Sequence, residues 1–202
     1  MGAAAPGWIK LIFCASGFAA LLYQVVWQRV LFATFGVNIE AVTTVVTAFL
    51  AGLGVGSLLG GRLAEGSDRT LLLGFGAIEG TIGLFGLLSL PFFRWVGELT
   101  LGLDSTARGL VMALAVMLPT TLMGATLPLL AGYLVRTSAN VGRSVGLLYF
   151  VNTAGSALAA LAGGLVILGS LGETRSVLLA AAVNLACALI VLAGPARQQA
   201  LR

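Results

Sequence analysis

The sequence predicts an all-α integral membrane protein, a six-transmembrane-helix bundle that forms one domain over residues 1–202. Three observations predict this fold class. Of the 202 residues, 59% are hydrophobic and 9% are charged, and the mean hydropathy is +1.06, whereas soluble domains carry about 25% charged residues. Apolar runs of about 20 residues, the length that crosses a bilayer as a helix, recur along the whole chain. These runs lack the alternation of apolar and polar residues that the strands of a membrane β-barrel require.

The apolar runs divide the chain into six predicted spans joined by short connections. The longest connection follows the third span, and in it Phe92, Trp95 and Leu99 recur at helical spacing. This pattern predicts a short helix that lies in the membrane interface at about 92–104, although a lid over a substrate would show the same pattern. The predicted spans are 9–30, 40–63, 70–90, 110–135, 144–168 and 175–193.

Basic residues are divided unequally between the two sides of the predicted bundle. The side of the termini carries seven and the opposite side carries Arg29, Arg94, Arg108 and Arg175, which predicts cytoplasmic termini in a bacterial-type inner (plasma) membrane. Because the basic residues are scattered singly, they indicate loops beside membrane lipid and no nucleic-acid partner. The seven residues on the side of the termini are Lys10, Arg62, Arg69, Arg136, Arg143, Arg197 and Arg202.

Small residues predict where the helices pack, because lipid gives helices no hydrophobic reason to associate and close backbone approach must supply the contact. The fifth span carries two such ridges and is therefore predicted to be the central helix. The ridges are Gly52, Gly56 and Gly60 in the second span, and Gly155 with Gly163 and Ser156 with Ala160 and Gly164 in the fifth.

Glu79 lies near the middle of the third predicted span, where a charge costs about 3 kcal/mol on insertion scales. We expect it to be protonated, paired or facing a wet cavity. Two interpretations remain open, because it could bind a cation or a proton, or it could clamp two helices as a neutral acid. Gln24, Tyr149 and Asn152 are further polar residues within spans, where hydrogen bonding between helices is the alternative to a part in a cation site.

Two prolines, Pro119 and Pro128, fall within the fourth span with Thr120 and Gly124 between them. Each proline deletes a backbone hydrogen bond, so we expect this helix to be bent or locally unwound. Broken helices line the substrate sites of transporters, and a simple kink without transport is the alternative.

The absence of histidine from the sequence excludes histidine-dependent catalytic triads and histidine-ligated metals. The remaining acids and tyrosines are isolated from any partnered nucleophile, so we predict no catalytic residue and no enzyme activity. The sequence likewise predicts no metal site and no cofactor.

Four segments resemble the membrane module of the spermidine-synthase-like membrane proteins. In that family a multi-span region is fused to a cytosolic aminopropyltransferase-like domain, and Glu79 resembles a family feature. We expect no such domain after Arg202, so the resemblance carries over no catalytic residue and no S-adenosyl-type cofactor. The family usually has an acid where this sequence has Gln24. The matching segments are 23–29 (YQVVWQR), 52–62 (GLGVGSLLGGR), 119–128 (PTTLMGATLP) and 146–155 (GLLYFVNTAG).

A second similarity is to the major facilitator superfamily, whose loop signature resembles residues 61–69 (GRLAEGSDR). Six spans correspond to one half of such a transporter, so the chain is expected to form a homo-oligomer or to associate with another membrane subunit.

The resemblances imply a half-transporter-like module that moves or presents a small cationic solute. A polyamine is the solute implied by the family, together with a separate aminopropyltransferase-like partner. In this hypothesis Glu79 meets the cation, Gln24, Tyr149 and Asn152 supply hydrogen bonds, and segment 119–128 flexes. The alternative hypothesis is a non-transporting accessory subunit that docks to a larger membrane complex through its glycine-rich faces.

Overall fold

The computed structural model describes residues 6–35, 39–138 and 140–194, and the chain in these ranges is helical with short turns between helices. As the sequence predicts, no strand occurs within them. Arg197 and Arg202 lie outside the described residues. The helices are α1 (Gly7–Phe35), α2 (Ile39–Leu63), α3 (Asp68–Leu99), α4 (Ser105–Ser138), α5 (Val141–Ala162) and α6 (Leu168–Ala193), with a π-helical segment (Gly163–Ile167) between α5 and α6.

The number of separate spans differs from the prediction. Within the described ranges, five helical segments rather than six are long and apolar enough to cross a membrane, because α5, the π-helical segment and α6 form one stretch of 53 residues, 141–193. The predicted loop between the fifth and sixth spans is wrong because the chain there is helical on both sides of a single non-helical residue, Gly172. Ser170 Oγ donates to the Val166 carbonyl oxygen at 2.7 Å, and Ser176 Oγ donates to the Gly172 carbonyl oxygen at 2.6 Å.

The 53-residue stretch changes direction at Gly172, which has a φ of 72° and a ψ of 178° inside α6. Glycine adopts this backbone conformation without the strain that a side chain would cause. As a result α5 runs parallel to α1, whereas the part of α6 after Gly172 runs antiparallel to α1. The contacts that give these directions are Asn152 with Phe13 and Ser156 with Gly17 for α5, and Cys187 with Ile12 and Glu173 with Arg29 for α6.

α3 extends further than predicted, because it continues through Pro91. The separate interfacial helix expected at about 92–104 is therefore wrong, since most of that range is the last part of α3. The Phe93 ring packs against Trp27 with the ring centroids 5.4 Å apart, and this buried contact holds the helix together beyond a residue that cannot donate a backbone hydrogen bond. Thr100 ends the helix, and its hydroxyl donates to carbonyl oxygens of the last turn.

α4 begins at Ser105, earlier than the predicted start at 110. Asp104 provides the cap, because its Oδ1 accepts hydrogen bonds from the backbone N–H groups of Thr106 at 2.9 Å and Ala107 at 3.0 Å. A carboxylate in this position satisfies N–H groups that have no partner within the helix.

α2 packs mainly on α4, with the two backbones in close approach. Gly52, Gly56 and Gly60 are buried along this contact. A Cβ atom at Gly56 would overlap the carbonyl oxygen of Thr121, and one at Gly124 would overlap a carbonyl oxygen of α2. The absence of side chains at these positions is what allows the helices to come so close.

α5 is not the central helix that its small-residue ridges predicted, because it packs mainly on α1, whereas α1 contacts α2, α3, α5 and α6. One of the two ridges of α5 is buried, whereas the other contacts α1 only through Ser156, whose hydroxyl donates to the Gly17 carbonyl oxygen. Gly155 lies against the Cys14 carbonyl oxygen and Gly163 is also buried, whereas Ala160 and Gly164 of the other ridge are exposed. Two ridges on one helix therefore do not place it at the centre.

Two ion pairs lie at opposite ends of the described bundle. Arg136 Nη1 is 3.4 Å from Asp68 Oδ1, and Arg29 Nε is 3.2 Å from Glu173 Oε1. Arg136 also donates to the Glu65 carbonyl oxygen at 3.2 Å, so it ties the end of α4 to the turn between α2 and α3.

Candidate functional site

Glu79 lies at the junction of α1, α3 and α6 and is fully buried, with 0% of its surface exposed. Glycines on α3 let α6 approach this position closely. Gly76 and Gly83, about one turn on either side of Glu79, lie against Leu192 and Leu185 of α6. The close approach brings a polar residue of α6 within reach of the carboxyl group.

Both carboxyl oxygens of Glu79 have a hydrogen-bond donor from a neighbouring helix. Ser16 Oγ of α1 donates to Oε1 at 2.5 Å, and Asn184 Nδ2 of α6 donates to Oε2 at 2.6 Å. Both donors are neutral, and the ion pairs of the described residues do not include Glu79. The group is therefore hydrogen-bonded, but no side chain of this part of the protein neutralises its charge.

Two more polar atoms in the same core have no hydrogen-bond partner among the described residues, the hydroxyl oxygen of Tyr23 and Oδ1 of Asn184. The Tyr23 ring stacks on Trp27, with a centroid distance of 4.8 Å and an interplanar angle of 24°, and its hydroxyl lies against Gly86. Trp27 Nε1 in turn donates to Ser89 Oγ at 2.9 Å. Buried polar atoms are rarely left unpaired in proteins, so these two require an explanation.

Two other titratable groups lie within electrostatic range of Glu79, the Tyr23 hydroxyl of α1 and the Cys187 thiol of α6. Cys187 Sγ also lies 3.7 Å from the Ile12 carbonyl oxygen, to which it donates. Neither group carries a positive charge. The cluster thus presents a carboxyl group, an amide, a thiol and two hydroxyls.

The polar residues predicted to share a cation site with Glu79 are not assembled around it. Gln24 is half-buried on α1, and Tyr149 is 65% exposed on α5. Asn152 Nδ2 donates to the Phe13 carbonyl oxygen at 3.2 Å and so links α5 to α1. Among the described residues, no hydrogen bond joins any of these three side chains to the Glu79 carboxyl group.

The segment with two prolines lies within a continuous helix, so the expected unwinding between Pro119 and Pro128 does not occur. Thr120 is buried, and its hydroxyl donates to the Val116 carbonyl oxygen at 3.0 Å. Thr120 and Gly124 belong to the α2–α4 contact.

Ser16 and Asn184 complete the Glu79 cluster, but the sequence did not assign either to a cation site. A signal exists for α1, because Ser16, Tyr23 and Trp27 are spaced by seven and four residues and share one face of a helix. Asn184 is a single amide in an apolar span, and its sequence position does not reveal which helix it faces.

An open groove of about 520 Å³ is lined by residues of α2 and α4. Its polar atoms come from threonine hydroxyls, and none of its lining residues carries a charge. It therefore lacks the chemistry that the Glu79 cluster has. The lining residues are Thr43, Thr44, Thr47, Ala48, Ala51, Ala113 and Met117.

Comparison with known proteins gives no match to a family model, to a curated protein or to a solved structure. The architecture itself is that of five apolar helical segments, which are compatible with a multi-pass integral membrane protein.

Proposed function

We propose that this chain is a half-transporter-like membrane module that moves or presents a small cationic solute, and that Glu79 supplies the negative charge that this function requires. The supporting observation is the fully buried Glu79 carboxyl group, held by the neutral donors Ser16 and Asn184 without a basic partner among the described residues. An ionisable group in a membrane span is expensive to keep and usually serves a function. A polyamine is the solute that the family resemblance implies.

The proposal includes two membrane crossings by segment 141–193. As a helix, its 53 residues would be about 80 Å long, more than twice the roughly 30 Å thickness of a hydrocarbon core. Its two parts also run in opposite directions beside α1. Together with the other four segments, this makes six crossings, so the transport path would form with a second copy or another membrane subunit.

Measuring polyamine uptake in liposomes tests the proposal. We expect Glu79→Gln to lower the uptake rate about tenfold or more, because glutamine keeps the shape and the hydrogen-bonding capacity but cannot ionise. Glu98→Gln is the matched control, since Glu98 is exposed on the same helix, and it should leave uptake unchanged. Equal uptake by the Glu79→Gln variant, or no uptake by the wild-type protein, would contradict the proposal.

The proposal also places the termini in the cytoplasm of a bacterial-type inner membrane, where an aminopropyltransferase-like partner would receive or supply the solute. The larger number of basic residues on that side supports this orientation. Single cysteines at the exposed Ser67 and Thr106, introduced after Cys14 and Cys187 are replaced by alanine, test it in intact cells. A membrane-impermeant thiol reagent should label position 106 and not position 67, and the reverse pattern would overturn this orientation.

The second candidate function is a non-transporting accessory subunit, favoured by the outward face of α2. Only 28% of the most apolar window of this helix is buried, and Gly54 and Gly61 on it have no neighbouring atom within 4 Å. Small residues on a lipid-facing surface allow another helix to approach closely.

Gentle extraction and native mass spectrometry test this second candidate. A stoichiometric partner should accompany the wild-type protein and be lost in Gly54→Leu with Gly61→Leu, whereas leucine at the exposed Ala157 of α5 should leave it bound. Purification of the wild-type protein alone would count against an accessory role.

A further inference from the structure

We infer that ordered internal water binds Asn184 Oδ1 and the Tyr23 hydroxyl and connects them with Glu79, so that the cation bound by Glu79 is a proton. This inference rests on the proposed function and deepens it, because it names the ion that the buried carboxyl group takes up. A proton would then serve as the coupling ion, and the larger solute would bind elsewhere.

The inference rests on two polar atoms without a partner among the described residues, the Tyr23 hydroxyl oxygen and Asn184 Oδ1. Tyr23 is 0% exposed and Asn184 is 2% exposed. Leaving such groups unpaired reduces stability, and buried water commonly satisfies them with two to four hydrogen bonds. One water molecule can bond to both atoms, since the Tyr23 hydroxyl can donate to the water and the water can donate to Asn184 Oδ1.

The Asn184 amide connects these atoms with Glu79. Its Nδ2 donates to Glu79 Oε2 at 2.6 Å, so its Oδ1 lies on the same planar group that already touches the carboxylate. Tyr23 is within electrostatic range of Glu79. Beyond Tyr23, the Ser89 hydroxyl is occupied, because it accepts from Trp27 and donates to the Gly86 carbonyl oxygen. The row of water that we infer thus involves Glu79, Asn184 and Tyr23, and Ser89 is not needed for it.

The hydrogen-bond directions favour a proton over a metal ion. Ser16 and Asn184 turn hydrogens, not lone pairs, toward Glu79, whereas a metal ion needs oxygen lone pairs around it. A proton adds to Oε2 and forms a neutral acid, and rotation of the Asn184 amide lets its Oδ1 accept from the new O–H group. The net step turns the Glu79 carboxylate and one hydronium ion from the solvent into a neutral acid and water. The bound water gives its proton to the carboxylate and regains one that originates in the solvent, so the water and Tyr23 end with the protons that they had at the start, and only hydrogen bonds rearrange.

The surroundings of Glu79 add no competing charge. α1 contributes the Tyr23 hydroxyl and α6 the Cys187 thiol. α4 contacts α3 through Leu129 and Gly132, and its tyrosine, Tyr133, lies against Trp8 with ring centroids 6.3 Å apart. Among the described residues, neither a lysine nor an arginine pairs with the carboxyl group.

Infrared difference spectra of the full chain in liposomes test the inference with Tyr23→Phe and the control Tyr133→Phe. We expect the wild-type protein to show a protonated-carboxyl band that responds to pH and disappears in Glu79→Gln, and an O–H band from internal water. Tyr23→Phe should remove the water band and slow hydrogen–deuterium exchange at the carboxyl group about tenfold. Tyr133→Phe, which removes a hydroxyl from a buried tyrosine of another helix, should change neither.

Thermal unfolding gives an independent readout. If water pairs with the Tyr23 hydroxyl, Tyr23→Phe lowers the Tm by about 3 °C, whereas removal of a truly unpaired hydroxyl would leave the Tm unchanged or raise it. An unchanged Tm together with unchanged exchange and water bands would overturn the inference. If Glu79→Gln nevertheless abolishes uptake, the proposed transport function stands although the inferred water site does not. If the bands behave as expected and no variant affects uptake, the water site stands and the transport proposal fails.

Discussion

The α1–α3–α6 core and the α2–α4 pair are packed by different means. In the core, the Glu79 carboxyl group joins three helices through hydrogen bonds to Ser16 and Asn184. Between α2 and α4, the contact is made by glycines such as Gly56 and Gly124, whose backbones approach carbonyl groups of the other helix. Glycines of α3 also allow close approach in the core, so the difference between the two regions is that polar side chains bond from helix to helix around Glu79.

The difference shows which changes each region tolerates. A glycine contact depends on space, so any added side chain at the crossing disturbs it regardless of polarity. The Glu79 cluster depends on complementary donors and acceptors, so it tolerates a substitution of similar shape and polarity but not an apolar one. At Glu79 the functional role can be tested apart from the packing role, because glutamine keeps the hydrogen-bonded contact and removes the charge.

The largest effect should come from a side chain placed at the α2–α4 crossing. Gly56→Leu forces a side chain into the Thr121 carbonyl group, and we expect a loss of about 3 kcal/mol in the free energy of unfolding. Unfolding in detergent with increasing sodium dodecyl sulfate measures it. Gly54→Leu is the control, because Gly54 lies on the same helix and a Cβ atom added there would meet no other part of the protein within 4 Å. Equal losses in both variants would show that the close approach does not stabilise the pair.

A smaller effect should follow when the Glu79 cluster loses its acceptors. Glu79→Leu leaves the Ser16 hydroxyl and the Asn184 amide without partners, and we expect a loss of about 2 kcal/mol in the same unfolding measurement. Glu79→Gln should cost less than about 1 kcal/mol, because an amide can still bond with both neighbours. A Glu79→Leu variant as stable as the wild-type protein would show that the hydrogen bonds of Glu79 do not stabilise the junction of α1, α3 and α6.

The link between α1 and α5 should contribute less again. Asn152→Ala removes the hydrogen bond to the Phe13 carbonyl oxygen, for which we expect a loss of about 1 kcal/mol, in line with interhelical hydrogen bonds in membranes. The exposed Thr153 beside it is the control position for the same substitution. A loss of transport larger than the loss of stability would instead point to a functional role for Asn152.

The smallest effect should come from the ion pair at the end of the bundle. Arg29 and Glu173 have side chains that are 64% and 32% exposed, so water and salt weaken their attraction. Arg29→Gln should therefore change the free energy of unfolding by less than about 0.5 kcal/mol. A loss that remains large at high salt would show that the pair contributes more to the reversal at Gly172 than its exposure indicates.

Apolar patterning was sufficient to predict the helical membrane fold, because each run of about 20 apolar residues has only the helix available in lipid. It was not sufficient to predict the separation of the last two spans. The polar stretch between them was predicted to be a loop, but its residues are helical except at Gly172, where the chain changes direction.

Glu79 could be singled out from the sequence because its depth in a span is a local property. Its partners could not, since Ser16 and Asn184 belong to distant parts of the chain and become neighbours only through tertiary packing. Tyr149 and Asn152 carry the same polar signal but face other surroundings, one mostly exposed and the other at the α1–α5 contact. Helical spacing gives the face of a residue but not the helix that the face meets.

The central claim is that the ionisable group of Glu79 has a role beyond helix packing. The most direct test compares polyamine uptake and unfolding of wild-type, Glu79→Gln and Glu79→Asp proteins in the same liposomes. We expect Glu79→Gln to remain folded with a nearly wild-type stability while uptake is lost, and Glu79→Asp to retain part of the uptake because it keeps the carboxyl group. A Glu79→Gln protein that transports as fast as the wild-type protein would contradict the claim and leave Glu79 as a structural clamp.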